Sequence, residues 1–205
     1  MDGPPVERAE RDRLFSCPDH ELHSEAELTK LLTACFTVDE SEPTPAADPL
    51  LHQFDGRKIP KIALSEYISR LTFYLGNIAQ TEKKGLRDPD AHSDLAIRYL
   101  IATIIYMDRL RSKGLVVTPL NIHRLLITGV LLASKTLDDL QPGLTYFADL
   151  GGLSAAELGS LEVTMLDLLD WKTTIEPKVF RNRYASLLGA RDVFSNDFSL
   201  DYHRV

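Results

Sequence analysis

Val116-Val-Thr-Pro-Leu-Asn-Ile-His-Arg-Leu-Leu-Ile-Thr-Gly-Val-Leu-Leu-Ala-Ser-Lys-Thr-Leu-Asp-Asp139 is the stretch on which the fold turns. Thr118 followed by Pro119 is a helix-start signal, because a threonine hydroxyl can cap orphan amides and proline at the first helical position gives up no hydrogen bond. No breaker follows until Asp138. Leu120, Leu125, Leu126, Ile127, Val130, Leu131, Leu132, Ala133 and Leu137 spread over most of the circumference, as a helix surrounded by other helices requires. The polar residues are not spread evenly. At about 100° per residue, Asn121, Arg124, Thr128 and Lys135 fall within an arc of roughly 60°, interrupted on one side by Leu131. A central, nearly buried helix therefore carries one polar seam, and the seam leads to Lys135.

Outward from this element, helical signals recur on both sides. Before it, Tyr67, Leu71, Tyr74 and Ile78 stand at i, i+4, i+7 and i+11, which predicts a helix over 62–78. Ser93-Asp94 caps the next, whose face is Leu95, Ile97, Leu100, Ile101, Ile104, Ile105 and Leu110 and whose end is Lys113-Gly114. After the central helix comes the Pro142-Gly143 turn. Tyr146-Phe-Ala-Asp-Leu150 reads as a short helix stopped by Gly151-Gly152, and Ser154-Ala-Ala-Glu157 is a capping box with Leu153 and Leu158 placed for a hydrophobic staple. That helix runs to about Leu169. A last one begins at Pro177 and ends near Gly189. No segment has a strand period, so the class is all-α, with five core helices joined by short loops.

Residues 1–23 are charged and poor in large apolar side chains, which predicts a flexible tail. Ser24-Glu-Ala-Glu27 opens a separate N-terminal helix over 24–37, with Leu28, Leu31, Leu32 and Cys35 on one face. Residues 38–59 are acidic and Pro-containing and read as a linker. The compact domain is expected over 60–189, followed by a tail over 190–205.

Composition limits what the chain can do. Its 205 residues, 44% of them hydrophobic, suffice for one substantial core. A formal charge of −7 argues against a duplex-binding surface, which needs clustered Lys and Arg. No signal peptide or bilayer-spanning run stands out, and two cysteines, Cys17 and Cys35, make no disulfide framework, so an intracellular setting, nuclear or cytoplasmic, is expected.

Chemistry-bearing groups are few. Cys17, His20, His23 and Cys35 offer four possible zinc ligands at a spacing that matches no common structural zinc pattern, so no metal or cofactor is expected. His123 has no serine or cysteine at an activated turn beside it. Arg11-Asp-Arg-Leu14 has the form of a minimal destruction box, a four-residue match that chance often supplies. Glu162 is more informative, because it falls inside the apolar arc of Leu158, Leu161, Met165, Leu166 and Leu169. A buried carboxylate is costly unless paired, and Lys135 is the obvious group to share it. The periodicity alone fits an internal salt bridge or two side chains that reach solvent from the edges of their helices.

The chain also carries a family resemblance. Tyr106-Met-Asp-Arg-Leu110, Leu120-Asn-Ile-His-Arg-Leu-Leu-Ile-Thr128, Leu131-Leu-Ala-Ser-Lys135 with Asp138-Asp139, Tyr146-x-Ala148, Gly151-Gly152, Glu157-Leu158, Leu161-Glu162 and Leu168-Leu-Asp-Trp171 stand in the order of a cyclin box. Over roughly Pro60 to Leu188 it resembles the P-type, or U-type, cyclins of the phosphate-signalling branch. Only one box fits, and Ala63 stands where the family usually starts its first helix with serine. The resemblance implies a five-helix cyclin fold that binds a cyclin-dependent kinase as a heterodimer and stabilises its active form, with protein substrates or an inhibitor joining the pair. It also implies that Lys135 and Glu162 hold the backbone around the kinase's C-helix, with Arg124, Thr128 and Leu131 beside them. Tyr67, Ile68 and Leu71 read as core rather than as the docking patch some cyclins carry. Cyclin-fold adaptors that bind proteins without activating a kinase remain the alternative, and a small α-helical enzyme the third class.

Overall fold

The computed structural model describes Phe15 and residues 25–36, 48–82, 91–138 and 142–188. The rest of the N-terminal tail, residues 38–47 of the linker, the C-terminal tail, Ser24, Asp139 and the Cys17, His20 and His23 group lie outside the described residues. Among the described residues seven α-helices follow in order: α1 Glu25–Cys35, α2 Leu64–Glu82, α3 Ala91–Ser112, α4 Ile122–Leu137, α5 Leu144–Gly151, α6 Ala155–Leu168 and α7 Pro177–Leu187, with a 3-10 turn at Pro49–Phe54. No strand occurs among the described residues, and the class is all-α. No described helix is long and apolar enough to cross a membrane.

Helix α4 lies at the centre, as its all-round apolar pattern requires. It packs on α3, α5, α6 and the 3-10 turn, and twelve of its sixteen residues are buried. The closest crossing is with α3 at Gly129, where a Cβ would stand 2.4 Å from Thr103 Cγ2. Absence of a side chain there lets the two most buried helices touch. Gly151 does the same for α5, since a Cβ would lie 2.7 Å from Ile127 Cγ1.

The start of α4 is later than the Thr118-Pro119 signal predicts. Residues 119–121 form a turn, and the Thr118 carbonyl accepts from the amides of Asn121 and Ile122. The Thr118 hydroxyl is buried without a hydrogen bond. Asn121 organises the entry instead: its Oδ1 accepts from the Thr118 amide at 2.9 Å, while its Nδ2 donates to Val116 O at 3.0 Å and to Asp55 Oδ1 at 3.2 Å. A tight turn stitched by an amide side chain replaces a simple hydroxyl cap.

Helix α2 is rotated relative to its expected seam. Tyr67, Ile68, Leu71 and Leu75 are buried, whereas Tyr74 is exposed. At about 100° per residue the buried arc centres near Leu71, which leaves Tyr74 on the rim. Ile68 and Leu71 are core residues, as expected.

Three parts of the chain outside the expected compact domain join its core. Leu32 of α1 and Phe36 just after it are fully buried, and α1 packs on α2, α3 and α7. Leu51 and Phe54 of the 3-10 turn are buried against α4 and α6. Phe15 stacks edge-on against Phe180 of α7, centroids 5.2 Å apart. Each such side chain removes enough apolar surface to stabilise the fold by roughly 1.5–3 kcal/mol, so these residues support the bundle although the surrounding sequence is polar.

The later helices follow their local signals. Ser154 Oγ accepts from the Glu157 amide at 3.1 Å and caps α6, with Leu158 buried as the staple requires. Gly114 (φ +96°) and Gly152 (φ +70°) end α3 and α5 in the left-handed region.

Candidate protein-binding site

Two ion pairs tie α4 to α6. Near the start of α4, Arg124 Nη2 lies 2.5 Å from Glu157 Oε1. Near its end, Lys135 Nζ donates to Glu162 Oε1 at 2.6 Å. Eleven residues separate the two cations, about 16 Å along a helix, and the bridges bracket the seam between the two elements.

The second pair is asymmetric. Glu162 is only 13% exposed, whereas Lys135 is 39% exposed. The carboxylate sits on the apolar side of α6, one turn after buried Leu158 and one turn before half-buried Leu166, and the lysine reaches it from the solvent side. Sequence periodicity thus located both groups, and the structure brings them together. Both side chains keep some exposure, and Val163, next to Glu162 in the chain, is exposed. Such a pair can donate to, and accept from, an extended backbone laid across it.

The other residues of the expected site take different places. Thr128 is fully buried and its hydroxyl donates to the Arg124 carbonyl at 2.7 Å. Leu131 is also fully buried. Both belong to the core behind the seam rather than to its surface. Arg124 is partly exposed and committed to Glu157.

The sequence reading missed how the site is braced. Gln53 Oε1 accepts from Thr164 Oγ1 at 2.7 Å, fixing the 3-10 turn to α6 two residues from Glu162. Asp138 accepts from Tyr99 at 2.6 Å, with Arg98 Nη2 3.9 Å away, so the end of α4 is held to α3 just beyond Lys135. The Asp48-Pro49 pair is the usable sequence signal for the former: Asp48 Oδ1 accepts from the Leu50 amide and starts the turn. No local pattern announces which distant helix the turn will meet.

Beyond α6 the chain turns through Asp170 and Trp171, both in the left-handed region at φ 52° and 59°. Lys113 holds this turn by donating to Leu168 O and Asp170 Oδ2, both at 2.6 Å. That hydrogen bond is the main reason the Asp170 carboxyl is held below its usual range. Tyr106 and Arg109 add bonds to the carbonyls of Thr173, Lys172 and Thr174.

The described residues contain no cluster of three or more groups suited to hold a metal ion. Burial pushes the Cys35 thiol upward, the opposite of an activated nucleophile. His123 packs its ring edge-on to Tyr67, centroids 4.8 Å apart, and burial lowers its pKa. The Ile62 backbone partly opposes this, although neither ring nitrogen makes a hydrogen bond of ordinary geometry.

Among the described residues, the seam between α4 and α6 is thus bridged at both ends by ion pairs. The chain belongs to the cyclin family: the family model "Cyclin" matches residues 20–173. It is 31% identical to Cyclin-U1-1 of Arabidopsis thaliana over 134 residues, covering 64% of this chain and 55% of that protein. It is 32% identical to Cyclin-U3-1 of the same plant over 135 residues, 65% of this chain and 53% of that one. Cyclin-P2-1 of Oryza sativa subsp. japonica is 37% identical over 92 residues, 44% of this chain and 42% of that protein. The chain thus spans about half the length of the curated relatives it matches, and it resembles the P- and U-type branch.

Proposed function

We propose that this chain is the regulatory subunit of a cyclin-dependent protein kinase and supplies no catalytic group itself. Protein kinases need a lysine–glutamate ion pair made by their C-helix, so a subunit that fixes that helix completes the phosphoryl-transfer site in its partner. Lys135 and Glu162 are the groups proposed to grip the backbone around that helix. The observation that carries this is their pairing at 2.6 Å on the seam, with the lysine accessible and the carboxylate embedded among apolar residues. A carboxylate kept at such a place, rather than a leucine, favours a role in contact over one in packing. Arg124 and Glu157 would hold the far end of the seam in register, while Thr128 and Leu131 support it from the core.

The test is capture from the source cell with this chain as bait, identification of the bound protein by mass, and reconstitution of the purified pair. The expected outcome is a kinase whose phosphorylation rate rises on adding the chain. A bound protein that is not a kinase, or a kinase bound without activation, would favour the adaptor reading instead.

A further inference from the structure

We propose that the loop Arg57–Lys61 is a docking site for an acidic, extended segment of a partner protein, separate from the Lys135–Glu162 seam. In a chain of net charge −7, this stretch places three cations, Arg57, Lys58 and Lys61, within five residues and no acid among them. All three are exposed, and among the described residues none makes an ion pair or hydrogen bond. Between them Ile59 is 61% exposed. An apolar side chain framed by unpaired cations is a small composite surface. It fits a partner that brings carboxylates on both sides of an apolar residue.

The loop is presented rigidly. On its N-terminal side the Gly56 amide donates to Leu120 O at 2.9 Å, and Asp55 is held by Asn121 Nδ2 and by His52 Nδ1. A Cβ on Gly56 would lie 3.0 Å from Leu120 O, so the backbones are nearly in contact. On its C-terminal side Ile62 is half-buried and Tyr67 is buried one turn into α2. Bonded Asp55 and Gly56 and buried Tyr67 thus flank the loop, while Arg57, Lys58, Ile59 and Lys61 face solvent. The two acids nearest in sequence offer little competition: Asp55 is already engaged, and Glu66 sits in the first turn of α2, where the helix end favours it.

Three cations are too few for nucleic acid to be favoured on a chain of this charge, and one exposed isoleucine is too little to hold a bilayer surface. Charge complementarity therefore selects an acidic protein segment. Ile122, where α4 begins just beyond the loop's anchor at Leu120, is thirteen residues from Lys135, about 20 Å along the helix, so the two surfaces can be filled at once.

Fluorescence anisotropy on the full chain tests this. The probe is a pool of short labelled peptides carrying Asp or Glu on both sides of a Leu or Ile; a lysine-for-acid pool, a duplex oligonucleotide and anionic vesicles are the comparisons. The acidic pool is expected to bind, with binding weakening as ionic strength rises from about 0.05 to 0.5 M. The combined Arg57→Glu, Lys58→Glu and Lys61→Glu variant is expected to bind at least about tenfold more weakly, with its thermal midpoint preserved. Ile59→Ser should weaken binding less, and Lys135→Ala should bind as the parent does. Equal binding by the charge-reversed variant, no binding by the parent, or tighter binding of the oligonucleotide or vesicles would overturn the proposal.

Discussion

Lys135 Nζ lies 2.6 Å from Glu162 Oε1, yet the lysine is three times as exposed as the carboxylate it neutralises. Truncating one partner is therefore not equivalent to truncating the other. Glu162→Ala leaves a lysine that can turn to water, and its stability cost is expected to stay below about 1 kcal/mol. Lys135→Ala strands a largely buried carboxylate and should cost more, on the order of 1–2 kcal/mol, still with a cooperative transition. The kinase contact proposed above predicts that both variants lose about 2–5 kcal/mol of affinity for that kinase, well over tenfold, because each would remove a charged contact from a desolvated interface. Urea titrations and a binding assay measure the two effects separately. Unchanged kinase affinity in both variants would remove the seam from the proposed contact.

Gly129 offers a test of the helix crossing that places the seam. A methyl group there would stand 2.4 Å from Thr103 Cγ2, and both backbones are fixed by the core. Gly129→Ala is expected to destabilise by about 1–3 kcal/mol despite alanine's better helix propensity. Thr103→Ser removes the offending methyl while keeping the hydroxyl that donates to Tyr99 O. The double variant should recover a good part of the loss, and additive losses in the four-member cycle would contradict the contact.

Much of this arrangement was legible in the residues. The unbroken apolar circumference of 120–137 marked a central helix, and Glu162 stood out because a carboxylate inside the arc of Leu158 and Leu166 needs a partner. Such signals are local, and helical periodicity reports them directly. What escaped was long-range. Thr128 looked like a surface member of the polar seam, but a threonine can satisfy its hydroxyl on the carbonyl four residues back and then lie buried, as it does on Arg124 O. Leu32, Phe36, Leu51 and Phe54 stand in polar surroundings and gave no sign that they would share the main core. The Gln53 to Thr164 bond joins residues 111 apart, and no spacing rule foretells it.

Ser154 is expected to be the main local determinant of where α6 begins. Its hydroxyl accepts from the Glu157 amide, and the same glutamate reaches Arg124 on α4. Ser154→Ala should cost about 1 kcal/mol and Ser154→Gly only a few tenths. Chemical denaturation distinguishes the two. Equal losses would mean that the hydroxyl bond contributes little to the cap.

His123 should make the fold sensitive to mild acid. Its ring packs against Tyr67, and burial lowers its pKa below the ordinary histidine value near 6.5. The sign follows from which state takes the proton first. As pH falls through about 6.5, the unfolded chain protonates its imidazole while the folded chain resists, so the unfolded state holds more protons and stability declines. Above that value both states are neutral and the effect is absent; once pH falls below the lowered folded value, the loss is complete. His123→Gln has no proton to gain in this window. The thermal midpoint of the parent is therefore expected to fall more between about pH 7.5 and 5.5 than that of the variant, with the imidazole resonances of the folded parent titrating below the usual range. Parallel curves for the two proteins would show that the imidazole is protonated at no cost to the fold, and that its place beside Tyr67 is not a constraint on its charge.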